Sequence, residues 1–352
     1  LNAPEPPADA DAPSEASAGS GALDQLEQRL LGESPTLTQV EVSEQAGIEL
    51  EASRALWHLL GFAHTDPDDR AFTQRDVDAL RLTQDLMDLG ILSHDRQDGL
   101  VRTLGRSFAR LAEWQVGLLA DIATETGVDS TDALVGGLAE TVLPKVEELQ
   151  NYVWRRHLVS VTSRLLASTS AGARTSNAAV CFVDIVGYTT RSRTLTDREL
   201  VAWLEAFETA ALDIVIENGG RIIKNIGDEL LIVADTPQAA AAIALELTRR
   251  GADEDDGFPS VRAGVAYGEV VTRLGDVFGP VVNIAARLTS VARPGTVLVD
   301  RGLYAGLTGA DAPEVGEAEH VHDEASPYRF RRVRRLSVKG YSRLQAWALS
   351  AA

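Results

Sequence analysis

The chain has 352 residues, 45% of them hydrophobic, which is enough for two domains with separate cores. Its formal net charge of −19 disfavours nucleic acid and anionic membrane surfaces unless a local basic patch intervenes. One cysteine, Cys181, excludes an internal disulfide; no apolar run reaches membrane-spanning length and the first residues lack a signal peptide pattern, so a soluble cytoplasmic protein is expected. The acidity is uneven: residues 1–173 hold 28 acidic and 13 basic side chains, a balance of −15, against 24 and 20, a balance of −4, in the remainder.

Residues 1–22 are mostly Ala, Pro, Ser and acidic side chains, too apolar-poor to offset their ordering entropy, and are predicted to be a disordered tail. Residues 23–168 read as an all-helical domain, with apolar side chains at three and four spacing over Leu23–Leu31, Val77–Leu92 and Leu100–Ile122. Trp57, Phe62 and Trp114 are expected in its core.

Within it, residues 36–57 have the pattern of a helix-turn-helix, with Gly47 at the turn. A DNA reader needs basic and amide side chains on its second helix, and this one offers Glu49, Glu51 and a lone Arg54. The segment is therefore read as packing geometry, with a DNA-binding regulator as the alternative.

Residues 145–168 form a predicted linking helix whose Leu149, Val153, Leu158 and Val161 suggest a self-association seam. A flexible connector, 169–176, follows.

From 177 to 352 strands and helices alternate. The apolar run from Ala178 delivers Asp184 at the end of a strand. After a helix over 197–218, Gly220–Ala234 reads as two strands joined by a tight Gly227-Asp228 turn. Another helix, 236–250, and a strand, 261–271, complete a ferredoxin-like α+β order with its helices on one sheet face. A strand-end aspartate and a Gly-Asp turn are each common alone. Two carboxylates at neighbouring strand ends are also what a pair of magnesium ions needs. On a helix starting near Pro280, Asn283 and Arg287 share one face, a turn apart. The chain has three lysines, Lys145, Lys224 and Lys339, against 30 arginines, which makes each lysine a position to account for.

Three segments together resemble the signatures of the class III nucleotidyl cyclases, in the family's order and spacing. They are Phe182-Val-Asp184-Ile-Val-Gly-Tyr-Thr189, Lys224-Asn-Ile-Gly227-Asp228 and Asp276-Val-Phe-Gly-Pro-Val-Val-Asn283-Ile-Ala-Ala-Arg287. The short stretch from Gly268 to Asp276 is similar to the bacterial subtype with an abbreviated dimerisation arm. The helical first half resembles soluble actinobacterial adenylate cyclases whose amino-terminal domain restrains catalysis in a pH-dependent manner.

The resemblance implies an adenylate cyclase, with a palm-type catalytic domain at 177–352 preceded by an all-α regulatory domain. It implies that Asp184, Asp228 and the Ile185 carbonyl bind two divalent cations, Mg2+ or Mn2+. Arg287 would stabilise the transition state, Asn283 orient the ribose, Lys339 bind the phosphates, and Lys224 with Asp276 read the base. A lysine donor and an aspartate acceptor suit N1 and the 6-amino group of adenine; guanine presents the reverse pattern, so ATP is expected over GTP. In the family the two residue sets come from different subunits, which implies a homodimer with composite sites.

A non-catalytic nucleotide sensor is the other alternative. For regulation, the candidate pH sensor is His157, whose pKa the adjacent Arg155 and Arg156 would lower; a solvated surface histidine is the competing reading. A lipid or other small-molecule effector stays open. His320 and His322 read as loop residues without a third ligand.

Overall fold

Thr38 and Glu41 cap a helix of the amino-terminal half. The Thr38 hydroxyl accepts from the Glu41 N–H at 3.2 Å and the Glu41 carboxylate accepts from the Thr38 N–H at 2.8 Å, a reciprocal cap that opens α1 (Gln39–Ala46). Among the described residues it is followed by α2 (Leu50–Leu60), α3 (Gln74–Asp88), α4 (His94–Thr126) and α5 (Leu143–Ser168).

The computed structural model describes residues 27–62, 66–89, 94–127, 142–168, 175–253, 255–310, 320–321, 326–333 and 344–352. The chain divides into two units, Leu1–Leu165 and Leu166–Ala352. The expected tail, 1–22, and most of the connector lie outside the described residues. Among the described residues, no helix is long and apolar enough to cross a membrane.

Val42, Leu56, Trp57, Val77, Leu80 and Val101 close the core of the first unit. A hydroxyl pair, Ser43 to Ser53 at 2.6 Å, satisfies the buried polar groups where α1 meets α2. Arg54 is engaged locally, its Nε to Gln39 at 3.1 Å and its Nη1 to Glu51 at 3.1 Å, and Glu49 and Glu51 are exposed. The second helix of the helix-turn-helix pattern thus turns an acidic face to solvent.

The expectation of a core position holds for Trp57, 7% exposed, but not for Phe62 or Trp114, each 60% exposed. The reason is length. At about 1.5 Å per residue, the 33 residues of α4 run to about 50 Å, whereas the 11 of α2 cover about 17 Å, so α2 spans only part of α4. Phe62 lies beyond the Gly61 cap and leans on the outside of Trp57, ring centroids 5.6 Å apart. In α5, Leu149, Val153, Trp154, Leu158 and Val161 are all exposed.

The second unit contains β1 (Thr175–Ile185), α6 (Tyr188–Ser192), α7 (Asp197–Glu217), β2 (Gly220–Ile226), β3 (Glu229–Ala234), α8 (Pro237–Arg250), β4 (Val261–Arg273), β5 (Asp276–Phe278), α9 (Pro280–Val291), β6 (Val297–Asp300), α10 (Arg301–Thr308), β7 (His320–Val321), β8 (Tyr328–Arg332) and β9 (Ala346–Ala351). The sheet order is β2-β3-β1-β4-β6-β9-β8-β7, with β5 hairpinned onto β4. The first four strands and helices α7 and α8 form the ferredoxin-like α+β core. His320 belongs to a two-residue strand paired with β8, not to a loop, and His322 lies outside the described residues.

Alternation along β1 divides two cores. Ala179, Cys181, Val183 and Ile185 pack against Phe207, Ala211 and Val215 of α7 and Ile243, Ala244 and Leu247 of α8. Ala178, Val180 and Phe182 point the other way and meet Val281 and Ala285 of α9. The two helices of the ferredoxin-like core, α7 and α8, therefore share one sheet face as expected, while α9, with its own apolar stripe of Val281, Ala285 and Leu288, covers the other.

Candidate active site

Asp184 ends the Val180, Phe182, Asp184 row of β1, so it stands on the sheet face covered by α9. Its cross-strand partners are Glu229 on β3 and Arg262 on β4, and directly opposed residues project to the same face. Asp228 occupies the β2–β3 turn, where Gly227 takes φ 65°, a left-handed conformation that admits a two-residue connection between Ile226 and Glu229. The Asp228 carbonyl accepts from the Ile185 N–H at 3.2 Å, which fastens the turn to the end of β1. The sheet thus gathers Asp184, Asp228 and Glu229 around one strand terminus.

Burial first, and then neighbouring charge, raises two of these carboxyls. Burial, then the charge of Asp184, push the Asp228 carboxyl up against the lowering pull of its own backbone N–H and of Arg262. Burial, with Asp184 and Asp228, raises Glu229 to about 7, again opposed by Arg262. The described cation set against this cluster is Arg262, whose Nε and Nη2 both reach Asp184 Oδ2, at 2.7 and 2.6 Å.

Surplus negative charge on hard oxygen donors, with the Ile185 carbonyl adjacent, is a donor set that fits magnesium or manganese, and Asp184 Oδ1 is left outside the guanidinium contact. Among the described residues no group of three or more His, Cys, Asp or Glu side chains has metal-binding geometry, so the fit is of two carboxylates plus a main-chain oxygen.

A second polar centre forms where β2 faces β5. A register shift between Ile222 and Lys224 re-aims Lys224, whose cross-strand partner is then Leu231, on the α9 side of the sheet. β4 and β5 are joined by a two-residue turn in which both Leu274, φ 54°, and Gly275, φ 78°, are left-handed; Arg273 pairs with Asp276 across it. Asp276 therefore starts β5 in a fixed position. Lys224 Nζ reaches Asp276 Oδ2 at 2.5 Å, and Asp276 Oδ1 accepts the Val277 N–H at 2.9 Å. The ammonium and carboxylate remain 41% and 28% exposed, open to an incoming ligand.

On α9 the buried side is Val281, Ala285, Leu288 and Thr289, while Asn283 and Arg287 are exposed on the opposite side. They share a face, but that face turns away from the sheet that carries Asp184. The Arg287 guanidinium has no hydrogen-bond or ion-pair partner among the described residues; the residue's main-chain carbonyl accepts from the Ser290 hydroxyl at 2.8 Å. Lys339 lies outside the described residues, and His157 is exposed on α5.

Two residues at the site carried no motif signal, Arg262 and Glu229. Their place beside Asp184 is a matter of strand register, and only the cross-strand pairing reveals it.

Residues 171–351 match the family described as the adenylate and guanylate cyclase catalytic domain, and residues 17–149 match the adenylate cyclase regulatory domain. An adenylate cyclase of Glutamicibacter nicotianae is 35% identical over 344 residues, covering 93% of this chain and 81% of its own length. One from Streptomyces coelicolor is 36% identical over 340 residues, covering 92% and 88%. A pH-sensitive adenylate cyclase of Mycobacterium tuberculosis is 30% identical over 318 residues, covering 87% and 78%.

Proposed function

Because the chain belongs to the adenylate and guanylate cyclase family and joins its catalytic domain to an adenylate cyclase regulatory domain, we propose that it converts ATP to 3′,5′-cyclic AMP and pyrophosphate. The observation that carries the reading is the crowding of Asp184, Asp228 and Glu229 at one strand terminus, with Arg262 set against them. Asp184, Asp228 and the Ile185 carbonyl would hold two divalent cations, which when bound would supply Lewis-acid activation of the ribose 3′-hydroxyl and neutralise triphosphate charge for an in-line displacement at the α-phosphorus.

The remaining work falls to side chains. Lys224 donates to adenine N1 and Asp276 accepts from the 6-amino group; with guanine both would face a group of their own kind, which favours ATP. Asn283 orients the ribose, Lys339 contacts the phosphates, and the Arg287 guanidinium donates to the phosphoryl oxygens as their charge grows.

Asn283 and Arg287 sit on the side of α9 opposite its contact with the sheet, so they cannot converge on Asp184 of the same chain without turning the helix over. A homodimer in which each subunit's α9 outer face completes the other's metal centre resolves this, and the two sites are then equivalent. ATP as substrate and an unpaired buried Cys181 suit a cytoplasmic protein.

The 23–168 domain regulates the 177–352 domain in this reading, through the 145–168 helix whose apolar side chains stand exposed, and a lipid or small-molecule effector would act on that domain. The test is turnover by the purified full chain with Mn2+ and ATP. Cyclic AMP should form, and Asp184→Ala should lower the rate at least a hundredfold while keeping the wild-type circular dichroism spectrum. Intact ATP after prolonged incubation would exclude the activity.

A further inference from the structure

A concavity in the first unit lies apart from every residue assigned above. It opens between the end of α2 and the first half of α4, has a volume of about 480 Å³, and is lined by His58, Leu60, Arg102, Gly105, Arg106 and Ala109 among others. Gly105 makes it possible. A Cβ there would stand 2.3 Å from the Leu60 carbonyl oxygen, so only glycine lets α4 approach the end of α2 this closely. Gly105 and Ala109, both small, leave a recess beside Arg102 and Arg106, which are one turn apart with Cβ atoms about 5–6 Å from each other. His58, in the last turn of α2, stands across from them.

The charge at this place runs against its surroundings. Residues 1–173 carry a balance of −15, and three other arginines of the unit are paired: Arg54 with Glu51, Arg70 with Glu41, Arg81 with Asp78. Arg102 and Arg106 donate to no acceptor among the described residues, and neither does the His58 ring. Two unpaired guanidinium forks and an imidazole around one recess of this size suit a multiply charged anion, since guanidinium geometry matches phosphate oxygens and a monocarboxylate would need only one fork.

We propose that this recess is a binding site for a small phosphate-bearing anion, a phosphomonoester or pyrophosphate, held by Arg102, Arg106 and His58. The ligand bridges α2 and α4 and so restrains their relative position.

Equilibrium dialysis of the full chain in EDTA tests it, with inorganic phosphate, pyrophosphate, glycerol phosphate and acetate as probes, on wild type, on Arg102→Gln/Arg106→Gln, and on Arg287→Ala/Lys339→Ala, which lacks the side chains assigned to phosphate at the catalytic site. All three phosphate probes or pyrophosphate alone should bind wild type and Arg287→Ala/Lys339→Ala saturably, and the Arg102→Gln/Arg106→Gln variant should bind at least tenfold more weakly. Preference for pyrophosphate identifies the cyclase product as the source, and comparable binding of glycerol phosphate identifies a phosphomonoester. Both arginines are exposed, so the variant should fold, which circular dichroism checks. Equal binding by the Arg102→Gln/Arg106→Gln variant, no saturable binding to wild type, or acetate binding as tightly as phosphate would each overturn the proposal.

Discussion

Replacing Arg262 by alanine separates the metal centre from the chemistry it serves. In the folded protein the guanidinium holds Asp184 Oδ2 by two contacts, with side chains 33% and 16% exposed. Such a pair lies between a surface ion pair, at about 0–1 kcal/mol, and the breaking of a buried one, at about 3–5 kcal/mol. Its loss also removes the cation that offsets Asp228 and Glu229. A cost of about 2 kcal/mol follows, and for a unit running from 166 to 352 each kcal/mol moves Tm by about 2–4 °C. In EDTA, Arg262→Ala should therefore melt about 4–8 °C below wild type.

Saturating Mn2+ should raise the variant's Tm by more than it raises wild type, because no guanidinium competes for Asp184. Differential scanning calorimetry of the full chain, with and without Mn2+, reads both shifts. Equal melting in EDTA, or a smaller Mn2+ shift in the variant, would refute the reasoning that ties Arg262 to a cation site at Asp184.

Other consequences concern the base, the buried acid and the linking helix. Lys224→Glu with Asp276→Ser should cut the ratio of kcat/KM for ATP over GTP about a hundredfold, each mispaired group costing about 1–3 kcal/mol; an unchanged ratio would remove the pair from base reading. Glu229 rises from 4.5 to about 7 on folding, so between those values the unfolded chain ionises while the folded chain keeps its proton, and stability falls as pH rises. That interval corresponds to about 3 kcal/mol, reduced to about 1–2 kcal/mol for a side chain that retains solvent contact. Glu229→Gln should flatten this pH dependence of Tm in EDTA, and an unaltered slope would argue against a raised Glu229. Histidine changes charge between pH 5 and 8, so His157→Ala should shift the pH profile of cyclase activity if the 145–168 helix carries the signal; an unshifted profile ends that role for His157.

Much of the second unit follows from local pattern. The continuous apolar run Ala178–Val183 marks a strand buried on both faces, and Gly227-Asp228 between apolar runs marks a hairpin, so the positions of Asp184 and Asp228 at strand ends could be read from the letters. What local pattern cannot supply is which strands are neighbours. Arg262 sits 78 residues from Asp184, and Lys224 meets Asp276 across 52; one contact depends on β4 lying beside β1, the other on a bulge in β2 and a tight turn before β5. Helical spacing likewise put Asn283 and Arg287 on one face of α9 but could not say which sheet face the helix would cover. The same limit explains Trp114: spacing shows which side of a helix is apolar, while burial depends on whether another element is long enough to reach it.

The central claim is that one chain's Asp184 and Asp228 work with another chain's Lys224, Asp276, Asn283 and Arg287. Mixing Asp184→Ala subunits with Lys224→Ala subunits, under conditions where heterodimers are shown to form, measures it most directly. Each variant alone should be inactive, and the mixture should regain cyclic AMP synthesis through the one intact composite site in each heterodimer. Proven heterodimers that stay as inactive as either parent would contradict it.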